Sequence, residues 1–194
     1  MENRKLVRLI IEESIKVKSL CVSHCLDEIA QAGSIIADSV SRGNKILCCG
    51  NGGSAADAQH FSAELLNRFE KERRALAAIA LTTDSSTITS IANDYSFDSV
   101  YEKQIRALGN KGDVLLAITT SGNSKNITNA IIAGQEKKMT IILLSGKNGG
   151  DAAPILTKKD LELRVPSQST ARIQESHIMM LHCICAIVDQ KIYN

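Results

Sequence analysis

Two short stretches of the chain concentrate groups that can hold an anion. Gly50-Asn51-Gly52-Gly53-Ser54 offers glycine amides, and Thr119-Thr120-Ser121-Gly122-Asn123-Ser124 places four hydroxyls within six residues. Amides and hydroxyls can surround a phosphate without a lysine. Neither stretch matches GxxxxGK or GxGxxG, so a monophosphate ester fits better than a nucleotide. Taken singly, each would also serve as an ordinary turn with good capping residues. The ionisable candidates lie elsewhere. His60 and Glu64 are four residues apart and share a helical face, with Arg68 continuing the row. Gln174, Ile178 and His182 form a second row at four-residue steps. A lone histidine on an apolar helix also suits a core or interface position, and His24 and His177 are read that way.

These groups act together only if strands and helices deliver them to one place. Apolar spacing over 3–41 predicts two helices. Nearly continuous apolar runs predict strands at 45–49, 76–81, 113–119, 139–145 and 161–165, the last ended by Pro166. A helix is expected over about 55–69 with Ser54 as its N-cap, a second up to about 137, and a last one over 170–192. Strands alternating with helices imply an α/β, three-layer sandwich around a mostly parallel five-stranded sheet, flavodoxin-like, with added N-terminal helices. Both Gly/Ser/Thr stretches then fall where a strand hands over to a helix. There an open α/β sheet presents backbone amides and a helix N-terminus to anions.

No Pro/Gly/Ser-rich linker divides the 194 residues, so one domain over 1–194 is expected. A net charge of +2 gives no general attraction to nucleic acid or to anionic membranes, so any anion site must be local. The first twenty residues carry charges throughout, unlike a signal peptide, and there is no apolar run of membrane-spanning length. Six cysteines sit inside apolar helix and strand patterns, as reduced thiols of a cytoplasmic protein would. Cys21, His24 and Cys25 have metal-ligand types at helical spacing. With no second CxxC they read as buried small hydrophobes.

The sequence resembles the phosphoheptose isomerases of the sugar isomerase (SIS) family over nearly its full length. The resemblance rests on CGNGGSAADAQHFSAEL (49–65), IANDYSFDSVY (91–101), GDVLLAITTSGNS (112–124), and ARIQESH with the following MLHC (171–183). It implies conversion of sedoheptulose 7-phosphate to D-glycero-D-manno-heptose 7-phosphate through an enediol, the entry to activated-heptose synthesis for lipopolysaccharide or related glycans. It further implies that Asn51, Gly52, Gly53, Asn93, Asp94 and Gln174 contact substrate. Thr119, Thr120, Ser121 and Ser124 would hold the phosphate. Glu64 and His182 would be the acid/base pair, and His60, Glu64, Gln174 and His182 would bind one Zn²⁺ per subunit. A homotetramer with active sites at its interfaces is implied as well, with helices 1–41 packing in the oligomer and the two site-bearing helices approaching across a subunit boundary. The one departure noted is Ala75, where relatives carry a proline.

Two rivals share these motifs. A related tetrameric adaptor binds the bacterial replication initiator, but its pattern lacks the Glu and His found here at Glu64 and His182 and breaks the loop at Ser121. A phosphosugar sensor would carry an effector domain, and residues 1–41 lack a basic recognition face. Enediol chemistry itself needs one base reaching both C1 and C2 and an acid for the oxygens. Glu64 suits the base and His182 the shuttle.

Overall fold

The computed structural model describes residues 1–193. The five apolar runs form strands β1 (Ile46–Gly50), β2 (Ala78–Ala80), β3 (Val114–Ile118), β4 (Thr140–Gly146) and β5 (Leu161–Val165). They pair in the order β2-β1-β3-β4-β5, and every pairing is parallel. Around them run α1 (Glu2–His24), α2 (Leu26–Ser41), α3 (Gly53–Leu66), α4 (Ser85–Asp94), α5 (Val100–Leu108), α6 (Lys125–Glu136) and α7 (Thr170–Tyr193). Strands β1 and β3 are buried at every position, because helices cover both sheet faces. Alternate residues therefore feed two cores. Ile46, Cys48, Leu116 and Leu144 face α2, α3 and α7, whereas Leu47, Cys49, Leu115 and Leu143 face α5 and α6.

Several expected boundaries are corrected. Ser54 is not an N-cap. The helix starts at Gly53 with Gly52 as cap, and Ser54 is buried in the first turn. The reason is proximity, since a Cβ on Gly50 would lie 2.4 Å from the Ser54 carbonyl oxygen. Glycine at the strand end lets the helix begin against it. Helix α3 ends at Leu66 instead of 69, so Arg68 leaves the His60–Glu64 row and pairs with Glu72 at 3.6 Å. Strand β2 keeps only three residues.

Helices α4 and α5 had no sequence assignment. Asp84 caps α4 by accepting from the Thr87 amide at 3.0 Å, and α4 buries no side chain fully, its short stripe of Ile88, Ile91 and Ala92 only half-burying itself on the core. All six cysteines are free. Cys21 and Cys25 are buried and donate to the carbonyls of Val17 and Cys21, while exposed His24 turns to the Leu20 carbonyl. Among the described residues no helix is long and apolar enough to cross a membrane.

Candidate active site

From β1 the chain passes to β2 on one side, while β3, β4 and β5 extend on the other. The crevice between β1 and β3 is thus the point where strand order reverses, the usual ligand position in such sheets. Gly50 pairs with Ile118, so Asn51 and Thr119 leave the sheet at the same level. They open onto a cavity of about 310 Å³. Asn51 to Ser54 line it from one side, Thr119 to Ser121 and Ser124 from the other, and Thr170 and Gln174 from α7. Gly53, Ser124 and Thr170 mark the N-termini of α3, α6 and α7. Three partial positive helix ends thus meet at one uncharged cavity, which is how a phosphate can be held without lysine.

The loops are braced for this work. Thr119 Oγ1 accepts from the Gly122 amide and Ser121 Oγ from the Asn123 amide, both at 3.2 Å, which leaves each hydroxyl hydrogen free to donate to an anion. Gly122 has φ +74, and a Cβ there would lie 2.0 Å from the Gly149 carbonyl oxygen. On the other side, a Cβ on Gly53 would lie 2.0 Å from Gln174 Nε2, so Gln174 rests directly on the glycine turn. Asn51 exchanges two amide hydrogen bonds of 2.9 Å with Asn126, and the Tyr101 hydroxyl donates to the Gly50 carbonyl oxygen.

Of the residues expected at the substrate, Asn51, Gly52, Gly53, Thr119, Thr120, Ser121, Ser124 and Gln174 line the cavity. Asn93 and Asp94 do not. They lie exposed at the end of α4, where Asn93 Nδ2 donates to Asp94 Oδ1. Ser54, read in sequence only as an N-cap, and Thr170, read only as the start of a helix, also line the cavity, and Asn126 and Tyr101 brace its Asn51 side. The helix start at Thr170 was a signal for the site, whereas Asn126 and Tyr101 act through contacts that spacing does not reveal.

Two turns into α3 and more than three into α7 the ionisable residues meet. His60 Nε2 lies 3.0 Å from His182 Nε2 and 3.3 Å from Glu64 Oε1. This approach of α3 to α7 occurs within one chain, because both pack on the same sheet face. Phe69 lies against the His182 ring, with centroids 5.5 Å apart. One turn before His60, burial pushes the Asp57 carboxyl up to about 6 against the pull of His60, and its Oδ2 is buried without a partner. Asp57 was also missed, although it stands three residues before His60.

Two imidazoles and a carboxylate are the donor types zinc takes, and separations of 3.0 and 3.3 Å are near those between ligands around one tetrahedral ion, roughly 3.3 Å. The set fits by type and pairwise spacing. Among the described residues, however, no three His, Cys, Asp or Glu side chains already converge as a metal site, so the donors would have to turn inward slightly to close on an ion.

A hydroxyl-lined cavity at the switch point of a parallel sheet, with a carboxylate and imidazoles further along the two helices that edge it, is the anatomy of a phosphosugar-handling α/β domain. Residues 11–146 match the SIS domain model. The chain is similar to a phosphoheptose isomerase of Alkalilimnicola ehrlichii, at 55% identity over 93% of this chain and 92% of the relative. Its structure is similar to that of a phosphoheptose isomerase from Francisella tularensis, with TM-score 0.95 and 44% identity over 98% and 100% of the two chains. The Neisseria gonorrhoeae phosphoheptose isomerase superposes with TM-score 0.91 at 46% identity, covering 96% and 98%. The chain belongs to the SIS domain family and, within it, to the phosphoheptose isomerases.

Proposed function

We propose that this chain converts sedoheptulose 7-phosphate to D-glycero-D-manno-heptose 7-phosphate, supplying activated-heptose synthesis in the cytoplasm. The observation that carries the reading is the placement of Glu64, His60 and His182 along the same two helices whose first turns form the phosphate cavity. From Gln174 to His182 is eight residues, about 12 Å along α7 at 1.5 Å per residue. A sugar phosphate held at the cavity by its far end presents its first carbons toward the ionisable cluster. A long, seven-carbon chain suits that separation better than a short one.

In the forward direction Glu64 removes a proton from C1 while His182 protonates the carbonyl oxygen on C2, giving the enediol. The hydroxyl proton on O1 then leaves, a proton returns to C2, and the aldehyde forms at C1. Each positioned transfer is worth about 10² to 10⁴-fold in rate. Asn51, fixed by Asn126 at the edge of the cavity, has one amide hydrogen left for a sugar hydroxyl. A Zn²⁺ on His60, Glu64 and His182 would supply Lewis-acid polarisation of the carbonyl, whereas Gln174 of the same chain rests on Gly53 at the phosphate cavity, away from these three donors. Metal content after purification, measured for wild type and His60→Gln, tests that binding directly.

We further propose a homotetramer, with Asn93 and Asp94, outside the cavity of their own chain, facing a neighbouring subunit. Glu64, His182 and Ser121 are all retained, which favours the enzyme over the adaptor. Turnover of sedoheptulose 7-phosphate, compared with five- and six-carbon ketose phosphates, tests the function. Efficient conversion of the heptulose supports it. Binding without conversion, under zinc or chelator, overturns it.

A further inference from the structure

Behind the ionisable cluster lies a buried ion pair that the proposed chemistry does not use. Arg73 and Asp189 have side chains only 3% exposed, and Arg73 Nε donates to Asp189 Oδ1 at 2.7 Å. The same guanidinium reaches the end of α3, donating to the Glu64 carbonyl oxygen at 2.7 Å and to that of Leu65 at 2.9 Å. These belong to the last turn of α3, whose carbonyls have no partner within the helix. Asp189 stands seven residues after His182 on α7, two turns further along the same face. Its second oxygen accepts from the Glu70 and Lys71 amides at 3.3 and 3.2 Å, which pins the segment carrying Phe69 against the His182 ring.

One charged pair therefore grips the backbone of Glu64, the helix of His182 and the loop that stacks on His182. We propose that Arg73 and Asp189 are positioning residues that hold the Glu64 carboxylate and the His182 imidazole at working separation. The inference rests on the isomerase reading above. The fork of Arg73 suits the task because one group serves a carboxylate and four backbone carbonyls, those of Glu64, Leu65, Asn67 and Arg74, more acceptors than the three hydrogens of a lysine could serve singly. Helix termination alone would need neither Asp189 nor the Phe69 contact.

The test is the double variant Arg73→Met with Asp189→Leu, which replaces the pair by apolar groups of similar size and avoids leaving one buried charge alone. Asp189→Asn, which keeps an acceptor, accompanies it in case the double variant does not fold. In folded protein, kcat for sedoheptulose 7-phosphate should fall at least tenfold, with KM changed less than twofold, since the phosphate cavity lies at the far ends of the helices. A crystal structure of the variant should show the His60 Nε2 to His182 Nε2 distance grown beyond hydrogen-bond reach. A folded variant with kcat within twofold of wild type and that distance still near 3.0 Å overturns the proposal. If wild type itself converts no heptulose phosphate, the isomerase reading fails, and the distance in the variant still decides whether the pair positions the cluster.

Discussion

Glu64 and His182 stand apart from their neighbours because they are ionisable groups facing each other's helix across His60. Glu64 is about a fifth exposed and His182 half-buried, so both keep a face toward the substrate side. Their cost and benefit lie in chemistry. Glu64→Gln and His182→Gln should each lower kcat by about 10² to 10⁴-fold, with far-ultraviolet circular dichroism unchanged. A loss below threefold for either would remove it from the acid/base pair. Asn126 makes a different demand. It is buried and holds Asn51 by two reciprocal bonds, so Asn126→Leu should free Asn51 to turn, raising KM for the sugar phosphate severalfold with a smaller change in kcat. The motif containing Asn51 was visible in the sequence. Its partner was not, because Asn126 reads as an ordinary residue at the second position of a helix, and only the β1 to β3 register brings the two together.

Elements, in contrast to single contacts, were largely legible. Glycine turns between apolar runs and periodic helices located all five strands, since parallel strands buried on both faces lose their polar alternation. What failed was the region between β2 and β3. There α4 is capped by Asp84 and turns only a short stripe, Ile88, Ile91 and Ala92, toward the core, too brief a period among hydroxyl residues to mark a helix. The hydroxyl loop depends on one conformation that only glycine adopts cheaply. Gly122→Ala would place a Cβ within 2.0 Å of the Gly149 carbonyl oxygen at positive φ, so a lower melting temperature and a KM raised tenfold or more are expected. An unchanged KM would mean the loop does not hold the substrate. Helix α7 carries its own pH response through His177. Burial pushes this imidazole down to about 4, and it lies 2.9 Å from the Ser145 carbonyl oxygen at the end of β4. Against an unfolded value near 6.5, the unfolded chain takes up a proton first as pH falls. The stability this neutral histidine contributes is therefore whole above about 6.5 and declines toward 4, by up to about 3 kcal/mol. Thermal melts from pH 7.5 to 4.5 should show that decline, and it should be shallower in His177→Gln. Equal slopes would assign it to other groups.

At the scale of the molecule, α1 is the element the single chain leaves unexplained. It runs 23 residues yet buries only Val17 and Cys21, while Leu6, Val7, Leu9, Ile10, Ile11 and Ile15 stand exposed. An isolated helix of this kind has little stability in water, and a contiguous apolar face of that length calls for a partner. Other copies of the chain are the partner proposed here. The helix is not simply attached, since Arg172, buried in the first turn of α7, donates to the Ile10 carbonyl oxygen at 3.0 Å. That arginine lies between Thr170 and Gln174, both of which line the phosphate cavity. Assembly through α1 would thus steady the helix end that binds phosphate. Light scattering should give about four times 21.0 kDa for wild type. Val7→Glu with Ile11→Glu, one turn apart on α1, should yield a smaller species with a raised KM. A wild-type chain that runs as a monomer at micromolar concentration would rule this out, and a dissociated variant with unchanged KM would separate assembly from the cavity.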